Sequence, residues 1–66
     1  MNSLFPNLVA AMEQRGVSVK AIANVIGRSE EVVHLKMLGV QDWMLSEALA
    51  ICRYLQYPDF RKLFVR

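Results

Sequence analysis

The sequence predicts a small all-α domain, and three observations lead to this prediction. Apolar residues recur at the spacing of a helix face, and no segment alternates with the period of two that a half-buried strand would show. Gly16, Gly27 and Gly39 each follow such an apolar stretch, where a helix would end. The chain has 66 residues, of which 55% are hydrophobic, enough for one core. Residues 1–66 are therefore expected to form one domain of four to five helices.

Composition and charge exclude several classes of protein. A net charge of +2 with 55% hydrophobic residues is unlike an intrinsically disordered chain. A single cysteine can form no internal disulfide, which suits a reducing compartment such as the cytoplasm. The longest apolar runs, Leu8–Met12 and Ala48–Cys52, are far shorter than the roughly 20 residues of a membrane span, so no membrane partner is expected. No Lys or Arg precedes Arg15, so the start does not resemble a secretory signal.

The first two helices are placed by the residues at their ends. Pro6 fits the first turn of helix one, and Gly16 ends it. Ser18 can cap helix two, and Gly27 ends that helix. The residues expected to share one face are Leu8, Ala11, Met12 and Arg15 in helix one and Val19, Ile22, Ala23 and Ile26 in helix two.

Three further helices follow by the same reasoning. Helix three is expected from about Glu30 to Leu38 after a capping Ser29, with Val33 and Met37 facing the core. Helix four is expected over about 45–55, and Asp59–Phe64 forms one last short turn after Pro58. The apolar stripe of helix four is expected to contain Leu45, Ala48, Leu49 and Cys52, widened by Ile51 and Leu55.

The connection between helices two and three determines the expected architecture. Only Gly27 and Arg28 separate Ile26 from the capping Ser29, and so short a turn makes two short helices cross steeply. Ala23 is small where the two helices must approach each other. The sequence therefore predicts a helix-turn-helix over about 19–38.

Several landmarks along the chain resemble the lambda-repressor-like (Cro/repressor) helix-turn-helix family, in particular its small phage and prophage members. The resemblance covers about three quarters of the sequence, from Asn7 to Leu55. The landmarks are Phe5-Pro6-Asn7-Leu8, Arg15-Gly16-Val17-Ser18, Ala23-Asn24-Val25-Ile26-Gly27, Ser29-Glu30-Glu31, Lys36-Met37-Leu38-Gly39, Leu45-Ser46-Glu47-Ala48-Leu49-Ala50-Ile51 and Leu63-Phe64.

This resemblance implies a DNA-binding transcriptional regulator of a phage or prophage, such as a repressor. In the family, helix three enters the major groove of double-stranded DNA and helix two meets the backbone. Val19, at the first position of helix two, stands where the family often has Gln. The base-facing positions map to Glu30, Glu31 and Leu35. Contacts to phosphate are expected from Lys20, Arg28, His34 and Lys36, which would carry no sequence information.

A second interpretation belongs to a different class of function. Two adjacent carboxylates on helix three repel phosphates, although they also stabilise the positive end of the helix dipole. Val32, Leu35 and Leu38 are expected to project from another side of helix three than its core residues. An apolar patch beside a polar rim is typical of an interaction site. The alternative is therefore a helix-turn-helix scaffold used as a protein-binding or oligomerisation module, which would inhibit, regulate or oligomerise with another protein through these residues.

The remaining predictions concern chemistry and assembly. Cys52 is expected to be a buried, inert thiol, and Trp43 is expected to pack under the loop before helix four. No cluster of metal ligands, catalytic group or Gly-rich phosphate loop is present in the sequence, so neither an enzyme nor a cofactor is expected. Residues 53–66 carry a local charge of +3, and a homodimer is expected to form through the tail 54–66.

Overall fold

The chain folds into five α-helices in a computed structural model that describes residues 3–66. The helices are α1 (Pro6–Arg15), α2 (Val19–Ile26), α3 (Glu30–Met37), α4 (Leu45–Leu55) and α5 (Phe60–Leu63). No strand occurs among the described residues, which confirms the all-α prediction. No helix within residues 3–66 has the length and apolar character needed to cross a membrane.

The helix ends lie where the sequence signals place them. Ser18 Oγ accepts a hydrogen bond from the Ala21 amide at 3.1 Å, and Ser29 Oγ accepts one from the Val32 amide at 3.2 Å. Gly16 and Gly27 end α1 and α2 with φ of 63° and 67°, a left-handed conformation that favours glycine. Local side-chain and backbone preferences therefore fix these boundaries.

The core forms where α4 packs against three other helices. α4 contacts α1, α2 and α5, while α3 packs mainly on α2. The largest fully buried side chains come from all five helices and are Leu8, Met12, Ile22, Val33, Met37, Ile51, Leu55 and Leu63. Val33 and Met37 thus face the core as predicted, whereas Arg15 is exposed and donates a hydrogen bond to Gln56 Oε1 at 3.1 Å.

The prediction for α4 was wrong on one side of the helix. Leu45 and Leu49 are 62% and 41% exposed, whereas Glu47 is 6% exposed. The buried side of α4 includes Glu47 instead, and its carboxylate pairs with a lysine of α3 inside the protein. Two leucines consequently face outward.

Enlarging the small residue between α2 and its neighbours should strain the core. Ala23 is 4% exposed and lies in the same buried cluster as Val33. We expect Ala23→Leu to destabilise the protein by about 1–3 kcal/mol, because the added atoms overpack the contact of α2 with α3. Thermal unfolding measures this, with Ala10→Leu on the exposed side of α1 as the control. Equal melting temperatures for the two variants would contradict it.

Candidate nucleic-acid interface

Helices α2 and α3 pack against each other across a connection of three residues. Gly27 turns the chain in the left-handed conformation, and the Arg28 amide donates to the Ala23 carbonyl at 3.0 Å. Ser29 then caps α3. The short connection leaves the first turn of α3 at the surface, where Glu30 and Glu31 are exposed.

Most of the residues predicted to contact DNA lie on this surface. Lys20 near the start of α2 is exposed, as are the residues of α3 and its turn at Arg28, Glu30, Glu31 and His34. Val19 and Leu35 are half-buried, and Val19 packs against the core cluster. Both helices therefore expose charged or polar side chains, and each also has a half-buried apolar residue among the predicted contacts.

Lys36 is the exception, and its predicted contact with phosphate was wrong. The residue is only 4% exposed. Its Nζ lies 2.6 Å from Glu47 Oε1, donates to the Asp42 carbonyl at 3.1 Å and lies 5.9 Å from the centre of the Trp43 ring. A buried ammonium needs such partners, because burying an unpaired charge is costly. Lys36 therefore joins α3 to the α3–α4 loop and to α4.

Glu47 is the residue that reasoning from the sequence did not place in this region. One carboxylate oxygen, Oε1, accepts from Lys36 and from the Met44 amide at 3.0 Å. The other oxygen, Oε2, lies 3.4 Å from Arg28 Nε. The position of Glu47 one turn before the buried Ile51 was the available signal. A carboxylate on the inner side of a helix requires a buried cationic partner.

This carboxylate, and not a capping side chain, stabilises the start of α4. The side chain of Met44, the residue before α4, does not cap the helix. The Glu47 carboxylate instead accepts a hydrogen bond from the Met44 amide. The Asp42 carboxylate does not cap α4 and lies 3.6 Å from a guanidinium nitrogen of Arg66. The first turn of α4 is thus stabilised from within the helix.

The pairing of Glu47 should make the fold sensitive to acid. Burial by itself raises the pKa of Glu47, but hydrogen bonds from Lys36 and the Met44 amide, with the charges of Lys36 and Arg28, lower the pKa below its usual value. The stabilisation is therefore complete above the ordinary glutamate pKa of about 4.3 and is lost as the pH falls below it. We expect Glu47→Gln to be less stable than the wild type at pH 7 and to lose less stability on acidification.

Urea unfolding at pH 7 and pH 3 measures this difference. Glu13→Gln is the matched control, because Glu13 is exposed and forms no ion pair among the described residues. Wild type and Glu13→Gln should lose similar stability between the two pH values. A Glu47→Gln variant with the full wild-type loss would contradict the role given to this carboxylate.

The charges of the candidate interface cancel. The cations of the region are Lys20, Arg28 and Lys36, and the carboxylates are Glu30, Glu31 and Glu47. Lys36 is fully engaged by Glu47, and Arg28 is shared between Glu47 and solvent, with half of its side chain exposed. Of these three cations, only Lys20 and the solvent-facing part of Arg28 are therefore free to contact an anion.

The apolar residues predicted to contact a protein partner differ in exposure. Val32 and Leu35 are half-buried, and Leu38 is exposed. Val40, which the sequence analysis did not single out, is 70% exposed in the loop that follows α3. An apolar edge thus continues past the end of α3 and away from its first turn.

An aromatic cluster supports the loop before α4. Trp43 packs edge-on against Phe64 and Phe5, with ring centroids 5.3 Å and 6.3 Å apart, which confirms its predicted packing role. Its Nε1 is buried without a hydrogen-bond partner in the described part of the chain. Beside these rings lies an open cleft of about 480 Å³, with Leu45 and Phe60 among its lining residues.

Cys52 is buried on α4, as predicted. Burial raises the pKa of the thiol above its usual value, and the negative charge of Asp59 raises it further. The thiol therefore stays protonated at neutral pH, which is the inert form.

Comparisons with known proteins add no relative to this description. No family model, curated protein or solved structure matches the chain.

Proposed function

We propose that this protein is a small helix-turn-helix DNA-binding protein that regulates transcription, of the phage or prophage type that its sequence resembles. The observation that supports this proposal is the packing of α2 on α3 across a three-residue connection. In such an arrangement the second helix can enter the major groove with its first turn leading. The exposure of Glu30, Glu31 and His34 agrees with that role for α3.

Each residue of the surface receives a distinct task in this proposal. Lys20 and the outer edge of Arg28 contact phosphates and fix the register, which carries no sequence information. The carboxylates of Glu30 and Glu31 can accept hydrogen bonds from cytosine N4 in the major groove. Lys36 does not touch DNA, because its ammonium is enclosed by Glu47 and the loop. Its task is to hold α3 in position.

The balance of charges on this surface predicts how strongly salt should weaken DNA binding. Each phosphate neutralised in B-DNA contributes about 0.9 to the slope of log affinity against log salt. With Lys20 and Arg28 as the cations available on this surface, one domain should show a slope of only about −2. Binding without sequence preference should accordingly be weak.

Lys20 and Glu31 provide opposite tests of this interface. We expect Lys20→Ala to weaken binding to all sequences and to reduce the salt slope by about one unit. Glu31→Gln should strengthen binding to random-sequence DNA, because it removes a charge that repels phosphate. Fluorescence anisotropy with a labelled 30-base-pair duplex, at two salt concentrations, measures both effects.

Lys62→Ala serves as the matched control for this experiment. Lys62 is exposed on α5 and its loss changes the net charge equally, but it lies outside α2 and α3. It should leave the salt slope unchanged. Absence of DNA binding at low salt by the wild type, or equal effects of Lys20→Ala and Lys62→Ala, would contradict the proposal.

The exposed apolar edge favours a second candidate function, that of a module that binds another protein. Leu38 and Val40 are exposed beside a surface whose charges cancel. A few buried apolar residues dominate the affinity of such interfaces. If this function is correct, Leu38→Ser abolishes the complex while Lys20→Ala and added salt have little effect. If the protein instead binds DNA, Lys20→Ala and added salt weaken binding, and Leu38→Ser has little effect.

A further inference from the structure

Three residues on the exposed side of α4, together with Asp42 in the loop before the helix, form a surface that we name the α4 row. Leu45, Leu49 and Arg53 follow one another at four-residue spacing, which places them along one edge of the helix. Asp42 lies ahead of the helix and lines the same cleft as Leu45, and its carboxylate is 93% exposed. The row therefore reads acid, leucine, leucine, base from one end to the other.

These leucines are exposed despite lying on the most central helix of the fold. Of the large apolar residues exposed in the described chain, half lie in one segment, namely Met44, Leu45, Leu49 and Tyr54. Leu45 also lines the aromatic cleft, so the apolar surface of the row adjoins that cleft at Leu45. A contiguous apolar surface beside charged residues is typical of an interaction site.

We propose that a second copy of this chain covers the α4 row, with the two α4 helices antiparallel about a two-fold axis. In this arrangement Leu45 of each chain faces Leu49 of the other. Each Arg53 faces the other chain's Asp42. A two-fold interface must be self-complementary, and the order of the α4 row meets that requirement.

The charges at the two ends of the α4 row favour a second copy of the chain as the partner, packed in the antiparallel direction. Antiparallel packing brings unlike charges together at both ends of the row, whereas parallel packing would place Asp42 on Asp42 and Arg53 on Arg53. Arg53 forms no ion pair within residues 3–66. The pair that Asp42 forms with Arg66 is 3.6 Å long and exposed on both sides, so it competes little with a new partner.

This interface differs from the dimer that the sequence predicted through the tail. Leu55 and Leu63 of the tail are buried in the protein's own core, and of its remaining large apolar residues Tyr54 and Val65 are exposed. The α4 row offers leucines instead. A contact of two helix edges is small, so we expect a weak, concentration-dependent dimer. Its formation does not depend on DNA binding and is measured without DNA.

Sedimentation equilibrium of the full chain over micromolar to millimolar concentration tests the proposal. We expect a reversible dimer in the wild type and at least about a tenfold weaker one in Leu49→Glu, since a hot-spot residue contributes more than a tenfold change in Kd. Leu4→Glu is the matched control, because Leu4 is 45% exposed against 41% for Leu49 and lies outside α4. Circular dichroism verifies that each variant is folded.

Charge reversal tests the antiparallel register. Arg53→Asp and Asp42→Arg should each weaken the dimer, and the double variant should restore it, because the pairs then form with exchanged signs. A wild type that stays monomeric at millimolar concentration overturns the proposal. A Leu4→Glu dimer as weak as the Leu49→Glu dimer also overturns it, as does a double variant whose dimer is no stronger than that of either single variant.

Discussion

Lys36→Ala is expected to destabilise the protein by about 3–5 kcal/mol, since it leaves the buried Glu47 carboxylate without its closest partner. Glu47 keeps the Met44 amide and a longer contact to Arg28, but it loses an ammonium at 2.6 Å. Domains of this kind are stable by only about 5–15 kcal/mol in total, so the variant should be close to unfolding. Urea unfolding at pH 7 measures the change.

Lys20→Ala is the control for this prediction, because it removes the same type of side chain from an exposed position on α2. Surface substitutions of that kind change stability by about 0.5 kcal/mol or less. The double variant Lys36→Met with Glu47→Leu should recover most of the lost stability, because replacing both side chains leaves no buried unpaired charge. A Lys36→Ala variant as stable as Lys20→Ala would show that the ion pair does not join α3 to α4.

Leu63→Ala is the second large effect and should cost about 2–5 kcal/mol. Leu63 is fully buried, although α5 has only four residues. α5 contacts both α1 and α4, and the Asn7 side chain donates to the Lys62 carbonyl at 2.8 Å. Shortening Leu63 leaves a cavity where these helices meet, and α5 should detach before the rest of the chain unfolds. Guanidinium unfolding followed by Trp43 fluorescence measures it.

Val65→Ala provides the comparison for Leu63→Ala. Val65 lies two residues further along the chain and is 51% exposed. Its truncation should change stability by about 0.5 kcal/mol or less. If both truncations cost the same, α5 is not held by the core in the way that the structure indicates.

Variants of Lys36 are unsuitable for testing the proposed DNA contact. Loss of DNA binding in a Lys36 variant would not identify a phosphate contact, because the same substitution destabilises α3. Lys20 is the better probe, since it is exposed and forms no ion pair among the described residues. The same reasoning applies to Glu47, whose carboxylate touches Arg28 on one side and Lys36 on the other.

The helices and their ends were predictable because the signals that set them are local. Ser18 and Ser29 accept from amides three residues away, and Gly16 and Gly27 adopt a conformation that few other residues tolerate. Each of these preferences acts within one turn of the chain. The helical period likewise placed Val33 and Met37 in the core from their own spacing.

The facing of charged and apolar residues across helices was decided only by the tertiary structure. Lys36 and Glu47 are eleven residues apart and lie on different helices, so nothing in their local spacing shows that they meet. They are buried together, and the buried side of α4 includes Glu47 while Leu45 and Leu49 are exposed. Periodicity gives each helix an apolar side only approximately. The partner across the core determines which edge of that side is covered.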